Sequence, residues 1–249
     1  MSKKEVLNFS IKTHTLKGLR PTNQDAVIFT KGQDKSQLAI IADGIGSLLN
    51  SEKCSEIICK VFVDCFKNRN INNYSKWFKE TLQECHCKIV EYSKQNLNNQ
   101  NIGSTIAVAI VKDNKLSFFH IGDTRIYLIR GHKVKQLTQD HNYKTFLLRK
   151  KASNKELVAS MYKWKALTNF IDVMNPKMAI FEANSLTLKK GDFVWLSSDG
   201  CYDYVDSKSL KKILSDPKTS LAQKTALLNS LALSNGSNDN LSNIIIKVW

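Results

Sequence analysis

Five aspartates carry the chemistry open to this chain: Asp25, Asp43, Asp123, Asp199 and Asp239. Each falls where an apolar run meets a turn, and Gly44, Gly122, Gly200 and Asn240 stand beside four of them. Taken singly, an Asp beside Gly is a turn. Taken together they repel: two carboxylates about 4 Å apart cost roughly 4 kcal/mol at an effective dielectric of 20. Several at one strand mouth would destabilise the fold without a cation. Oxygen ligands with no His or Cys among them select Mg²⁺ or Mn²⁺ over Zn²⁺. A water shared by a pair of such ions becomes a nucleophile near neutral pH. Arg20, in the loop before Asp25, has the planar fork that matches two phosphate oxygens. Cys201 follows Gly200 but has no phosphate-binding loop around it, so it is not read as a nucleophile.

The elements that must position these residues are legible from periodicity. Leu38 to Ala42 is a short apolar run that enters Asp43-Gly44, and Phe193 to Ser198 enters Asp199-Gly200. Both read as buried strands delivering a carboxylate to the end of a sheet. Ala26 to Thr30 pairs with the first of them through the turn at Gly32–Lys35, and residues 6 to 12 read as a further strand. Ser51 is expected to cap a helix whose stripe is Cys54, Ile57, Ile58, Val61, Phe62, Cys65 and Phe66. A second helix runs from Tyr74 to Gln95. Strands are then expected over 104–111, 115–121, 125–130 and 133–137, joined by tight turns. Tyr143–Arg149 and Glu156–Trp164 read as helices, Ile180–Leu188 as a strand, 207–214 and 220–233 as helices, and 243–249 as a closing strand. That rhythm is not βαβα. It predicts an α+β fold of antiparallel sheets with helices on their outer faces.

Composition bounds the rest. The 249 residues suffice for one sizeable core, only 3 prolines interrupt them, and residues 1–249 are expected to form a single domain. No apolar run is long enough to span a membrane and the first ten residues lack a secretory leader, so a cytoplasmic protein is expected. The 6 cysteines form no CxxC pair and read as reduced, mostly buried thiols. A formal charge of +15 favours acidic and phosphorylated partners. The lysines are scattered and not interleaved with aromatics, so no specific nucleic-acid role is expected.

In order along the chain stand Arg20-Pro21-Thr22-Asn23-Gln24-Asp25, Ala42-Asp43-Gly44-Ile45-Gly46, Gly103-Ser104-Thr105, Gly122-Asp123-Thr124-Arg125, Leu137-Thr138-Gln139-Asp140-His141, Ser198-Asp199-Gly200 and Asp239-Asn240. This series resembles the PP2C (PPM) family of metal-dependent serine/threonine protein phosphatases, bacterial type. The resemblance implies a β-sandwich of two antiparallel sheets flanked by helix pairs, in α-β-β-α layers. It implies two Mn²⁺ or Mg²⁺ ions, bridged by Asp43 and completed by the Gly44 carbonyl, Asp199 and Asp239, with a third, looser ion at Asp123 and Asp199. Asp25 would orient the metal-bound water and Arg20 would hold the phosphate. Asn240 and Arg125 would be structural supports. The implied reaction is hydrolysis of phosphoserine and phosphothreonine by a hydroxide bridging the two ions. The implied partners are phosphorylated proteins, substrates of serine/threonine kinases or a kinase, met by a monomer.

Two departures stand out. Ile45 occupies the place of a histidine found in animal members, so leaving-group protonation would fall to metal-bound water. Leu167-Thr168-Asn169-Phe170-Ile171-Asp172 is a degraded Leu-Thr-Arg-Ala-Leu-Gly motif without its arginine and glycine. That segment is the one support for an alternative reading, a pseudophosphatase that binds phosphoproteins or regulates a kinase without turnover.

Overall fold

The computed structural model describes residues 7–175 and 179–249. Met1 to Val6, part of the segment read for a leader, lie outside the described residues. The chain opens with β1 (Phe9–Leu16), β2 (Asp25–Lys31) and β3 (Gln37–Asp43), then α1 (Ser51–Asn68) and α2 (Tyr74–Asn96). It continues through β4 (Gly103–Ser104), β5 (Ile106–Lys112), β6 (Lys115–Ile121), β7 (Arg125–Arg130) and β8 (Lys133–Gln136). A flap with α3 (Tyr143–Arg149) and α4 (Asn154–Ala159) leads to β9 (Ile171–Asp172), β10 (Glu182–Thr187) and β11 (Phe193–Ser197). Last come α5 (Asp199–Tyr202), α6 (Ser207–Ser215), α7 (Leu221–Ser234) and β12 (Leu241–Val248).

Two five-stranded sheets, ordered β1-β12-β11-β7-β8 and β10-β6-β5-β3-β2, pack face to face, and every pairing is antiparallel. β3 shows why its sequence reads as one continuous apolar run. Ala39 and Ile41 point between the sheets, against Val194, Leu196, Ile244 and Ile246. Leu38, Ile40 and Ala42 point outward, under α1 and α2, against Ile58, Phe62 and Phe78. Both faces of the strand are covered, so period-2 alternation is present in the fold but invisible in hydropathy. The opposite sheet is covered in the same way: Trp195 and Ile245 pack under α6 and α7 with Leu210, Leu214 and Leu228. The layers are therefore α-β-β-α, as expected.

The helix stripe of α1 is buried as its spacing dictates, with Cys54, Ile58, Val61, Phe62, Cys65 and Phe66 all inside. Cys85 is buried in α2 while Cys87 is exposed, since residues two apart on a helix face different ways. The structure corrects several boundaries. Ser51 is not the cap of α1: Asn50 holds that place in a left-handed conformation, and the Ser51 hydroxyl accepts from the Gly103 amide at 3.3 Å instead. The strand expected over 104–111 breaks at Thr105, whose amide donates to the Asp43 carbonyl at 2.8 Å. The helix expected over Glu156–Trp164 ends at Ala159 and gives way to a single 3₁₀ turn; neither piece buries a residue, so no packing extends so short a helix. Asp199 does not end a strand. β11 stops at Ser197 and Asp199 opens the short α5.

Candidate active site

Asp43 is held by its main chain, so its carboxyl is aimed rather than free. Its amide donates to Thr105 Oγ1 (3.2 Å), and its carbonyl accepts from Thr105 N (2.8 Å) and Ser104 Oγ (2.9 Å). Gly44 continues the turn and its amide donates to the Gln24 carbonyl at 3.1 Å. A Cβ at Gly44 would sit 2.7 Å from that carbonyl oxygen and 3.0 Å from the Ser51 oxygen, so only glycine fits. Asp25, the first residue of β2, stands directly opposite Asp43 in the β2–β3 ladder. Like charges opposite one another in a ladder destabilise it.

The remaining carboxylates arrive from distant parts of the chain. Asp199 comes from the start of α5, Asp239 from the loop before β12, and Asp123 from the turn between β6 and β7. Gly200 makes the first of these approaches possible, since a Cβ there would lie 2.0 Å from the Asn240 carbonyl oxygen. The Asn240 side chain staples the Arg20 loop to the same point: Oδ1 accepts from Gln24 N (2.8 Å), and Nδ2 donates to the carbonyls of Lys17 (2.7 Å) and Thr22 (2.9 Å). Arg125 forks Asp140 at 2.9 and 2.7 Å and lies 3.8 Å over the Tyr202 ring. These contacts match the supporting parts expected of Asn240 and Arg125.

Arg20, Asp43, Gly44, Asp123, Asp199 and Asp239 all line one cleft of about 600 Å³, with Ile45 and Thr105 between them. Asp25 lies behind Asp43 and is buried. Its Oδ2 accepts from Ser198 Oγ at 2.9 Å, while its buried Oδ1 has no partner among the described residues. Burial pushes Asp25 and Asp199 up to about 6 and Asp123 up to about 8. Asp43 is raised well above the usual carboxylate range, by burial first and then by repulsion from Asp25, Asp199, Asp123 and Asp239. Such a set is strained when ionised and empty of cations. The donors are all oxygen, and the buried Oδ1 of Asp25, directly opposite Asp43 in the ladder, has no partner among the described residues. Hard divalent ions fit this chemistry.

Cys201 is buried, and burial pushes its thiol up to about 12, so it is no nucleophile. A second cluster is absent from the sequence reading: His120, His141 and Glu182 offer ligand atoms within 4.8 Å of one another. The hydrogen bonds argue against a metal there. The Gly122 amide donates to His141 Nδ1 at 3.1 Å, which leaves the ring proton on Nε2, the nitrogen 3.6 Å from Glu182. A metal-binding imidazole needs the reverse arrangement. His141 instead clasps the Gly122–Asp123 turn, because its own amide also donates to the Gly122 carbonyl at 2.9 Å. Nothing in composition signals this pairing, since His120 and Glu182 meet only through the β6–β10 register.

The departing segment 167–172 is also accounted for. Asn169, where the family motif has arginine, lies 2.8 Å from His141 Nδ1 and donates to the Ile180 carbonyl at 2.6 Å. Ile171 and Asp172 pair with Ser104 and Gly103 as β9 against β4. Lys165, Leu167 and Phe170 line the cleft, which the sequence reading missed because they sit in an undistinguished basic stretch.

Comparison with known proteins agrees with the fold and places the chain in a family. The sequence profile of the family described as protein phosphatase 2C matches residues 13–235. The serine/threonine phosphatase Stp of Listeria monocytogenes is 26% identical over 233 residues, covering 92% of this chain and 91% of that protein. The solved serine/threonine phosphatase of S. agalactiae superposes with a TM-score of 0.87 at 23% identity, over 97% of this chain and 100% of that one. The catalytic domain of PstP, solved in complex with 2 manganese ions, superposes with a TM-score of 0.78 at 21% identity, over 97% and 99%.

Proposed function

The chain belongs to the protein phosphatase 2C family, and from that premise we propose that it hydrolyses phosphoserine and phosphothreonine in proteins. The observation that carries this is the convergence of Asp43, Asp123, Asp199 and Asp239 with Arg20 on one cleft. Asp43, the Gly44 carbonyl, Asp199 and Asp239 would hold two divalent cations, Mn²⁺ or Mg²⁺, with Asp123 and Asp199 at a third, weaker site. When bound, the ions supply a polarised water and offset charge on the phosphate.

The chain's own residues do the rest. Arg20 binds two phosphate oxygens through its fork and orients the phosphorus. Asp25, whose buried Oδ1 has no partner among the described residues, would orient the attacking water. The new P–O bond forms in line with the ester bond that breaks. Ile45, at the cleft wall, has no proton to give, so the leaving oxygen takes its proton from water. No phosphorylated side chain is required.

A silent phosphoprotein-binding module is disfavoured, because the altered 167–172 segment leaves the carboxylates gathered and relatives carry phosphatase names. No described helix is long and apolar enough to cross a membrane. We read the protein as a cytoplasmic monomer that acts on substrates of serine/threonine kinases or on a kinase. Hydrolysis of a small aryl phosphate and of a phosphothreonine peptide, with Mn²⁺ or Mg²⁺ and with chelator, tests the reading. Turnover is expected with either ion and lost in EDTA; undiminished turnover in EDTA overturns it.

A further inference from the structure

The flap carries more positive charge than its own contacts use. Between Tyr143 and Leu167 stand seven Lys or Arg against one acid, Glu156, and all seven are exposed. Arg149 and Lys165 are paired, with Glu182 and Asp203. Lys144, Lys150, Lys151, Lys155 and Lys163 have no carboxylate partner among the described residues. On α2 two of the four lysines, Lys76 and Lys88, face Glu80 and Glu91 one turn on, and acids are interspersed along the helix. Like charge gathered in so short a stretch opposes folding. Large apolar side chains are exposed among these cations, with Leu148 at 53%, Val158 at 66% and Met161 at 54%. Cations mixed with bare apolar surface mark a contact face.

We propose that the outer face of this flap docks an acidic stretch of the same phosphoprotein whose phosphoresidue occupies the cleft, an inference that rests on the phosphatase reading above. Continuity supports it. Lys165 lines the catalytic cleft and also a neighbouring hollow of about 420 Å³ walled by Lys144, Leu148 and Trp164. A peptide leaving the cleft on that side meets Lys144 in the hollow, with Lys150, Lys151, Lys155 and Lys163 further along the same exposed flap. Each aromatic ring of the flap carries an ammonium over one face: Lys144, Lys150 and Lys163 lie 4.4, 4.4 and 5.2 Å from the centroids of Trp164, Phe146 and Tyr162. A single-stranded nucleic acid would compete with those ammonium groups for the rings, and the test below includes it. An acidic peptide needs only the ammonium groups, and all of these lysines are exposed.

The test compares peptides with one phosphothreonine core and acidic, neutral or basic flanks, alongside a small aryl phosphate, using the full chain with Mn²⁺. The acidic peptide is expected to exceed the neutral one in kcat/KM by about tenfold at low salt, through KM. That advantage shrinks as ionic strength rises from about 0.05 to about 0.3 M. The quadruple variant Lys150→Glu, Lys151→Glu, Lys155→Glu, Lys163→Glu loses the preference, while aryl phosphate turnover persists. Fluorescence anisotropy of the labelled acidic peptide reads docking without turnover. A protein that captures this peptide but hydrolyses no phosphoester supports the docking face and sinks the phosphatase reading. Equal kcat/KM and equal Kd for acidic and neutral peptides overturn the docking face and leave the phosphatase reading intact. Tighter binding of an oligonucleotide or of anionic phospholipid vesicles than of the acidic peptide, at the same salt, also overturns it.

Discussion

Arg20 forks Asp239: Nε lies 3.0 Å from Oδ1 and Nη2 lies 2.8 Å from Oδ2. The cation proposed to receive phosphate is thus tied to a carboxylate proposed to receive a metal. A divalent ion on Asp239 would compete for those oxygens and free the guanidinium, which would link metal loading to phosphate binding. Replacing Arg20 with Ala removes a bidentate, charge-assisted contact worth about 1.5–3 kcal/mol. The expected result is a fall in kcat/KM for an aryl phosphate of roughly tenfold to a hundredfold. The Mn²⁺ concentration for half-maximal activity should not rise, since Asp239 loses its competitor. Steady-state kinetics across a Mn²⁺ series checks both.

Asp199→Asn separates the two roles of the carboxylate cluster. Asp199 is repelled by Asp239 and Asp25, so the metal-free protein should gain stability when the charge is removed, by about 1–3 kcal/mol. The same change should abolish turnover and the rise in Tm that Mn²⁺ gives the parent protein. Thermal unfolding with Mn²⁺ and with EDTA reads both effects. A variant less stable than the parent in EDTA would contradict the strained-cluster account.

The pH dependence follows from the raised carboxyls. A group whose folded pKa lies above its unfolded value binds more protons when folded, so its contribution is lost as pH rises towards the folded pKa. Burial, and then repulsion from Asp199 and Asp140, pushes Asp123 up to about 8, well above the ordinary carboxylate range. His141, lowered to about 4 from 6.5, has the opposite sign but is exhausted above its unfolded value. Between about pH 6.5 and 8 the metal-free protein should therefore lose stability as pH rises. Mn²⁺ binding in that window should release protons. Urea unfolding in EDTA and calorimetry in two buffers of different ionisation enthalpy measure these separately.

Glycines at two places should behave differently. Gly200→Ala puts a Cβ 2.0 Å from the Asn240 carbonyl oxygen, and backbone cannot swing aside as a side chain can. A loss of about 3 kcal/mol or more is expected, with weakened Mn²⁺ affinity because Asp239 and Asn240 must shift. Gly131 has φ +55 and nothing within 4 Å, so Gly131→Ala should cost only about 1 kcal/mol and spare the metal site. Urea unfolding and calorimetric Mn²⁺ titration compare the two.

What the amino-acid order by itself determined was the set of parts. The alternation of short strands with amphipathic helices predicts the antiparallel α+β layers, because burial on a pleat or a helix stripe is a local, periodic property. The turns after apolar runs single out Asp43 and Asp199, and the ordered motifs single out Arg20, Asp25, Asp123 and Asp239. What only the tertiary structure decided was who meets whom. Asp25 facing Asp43, Arg20 reaching Asp239 and His120 meeting Glu182 depend on ladder register and loop closure over many intervening residues, which no local spacing encodes. The flap stayed least legible. Its helices are short, five of its seven cations have no carboxylate partner among the described residues, and its residues answer to the cleft and the solvent rather than to a core that would print a period on them.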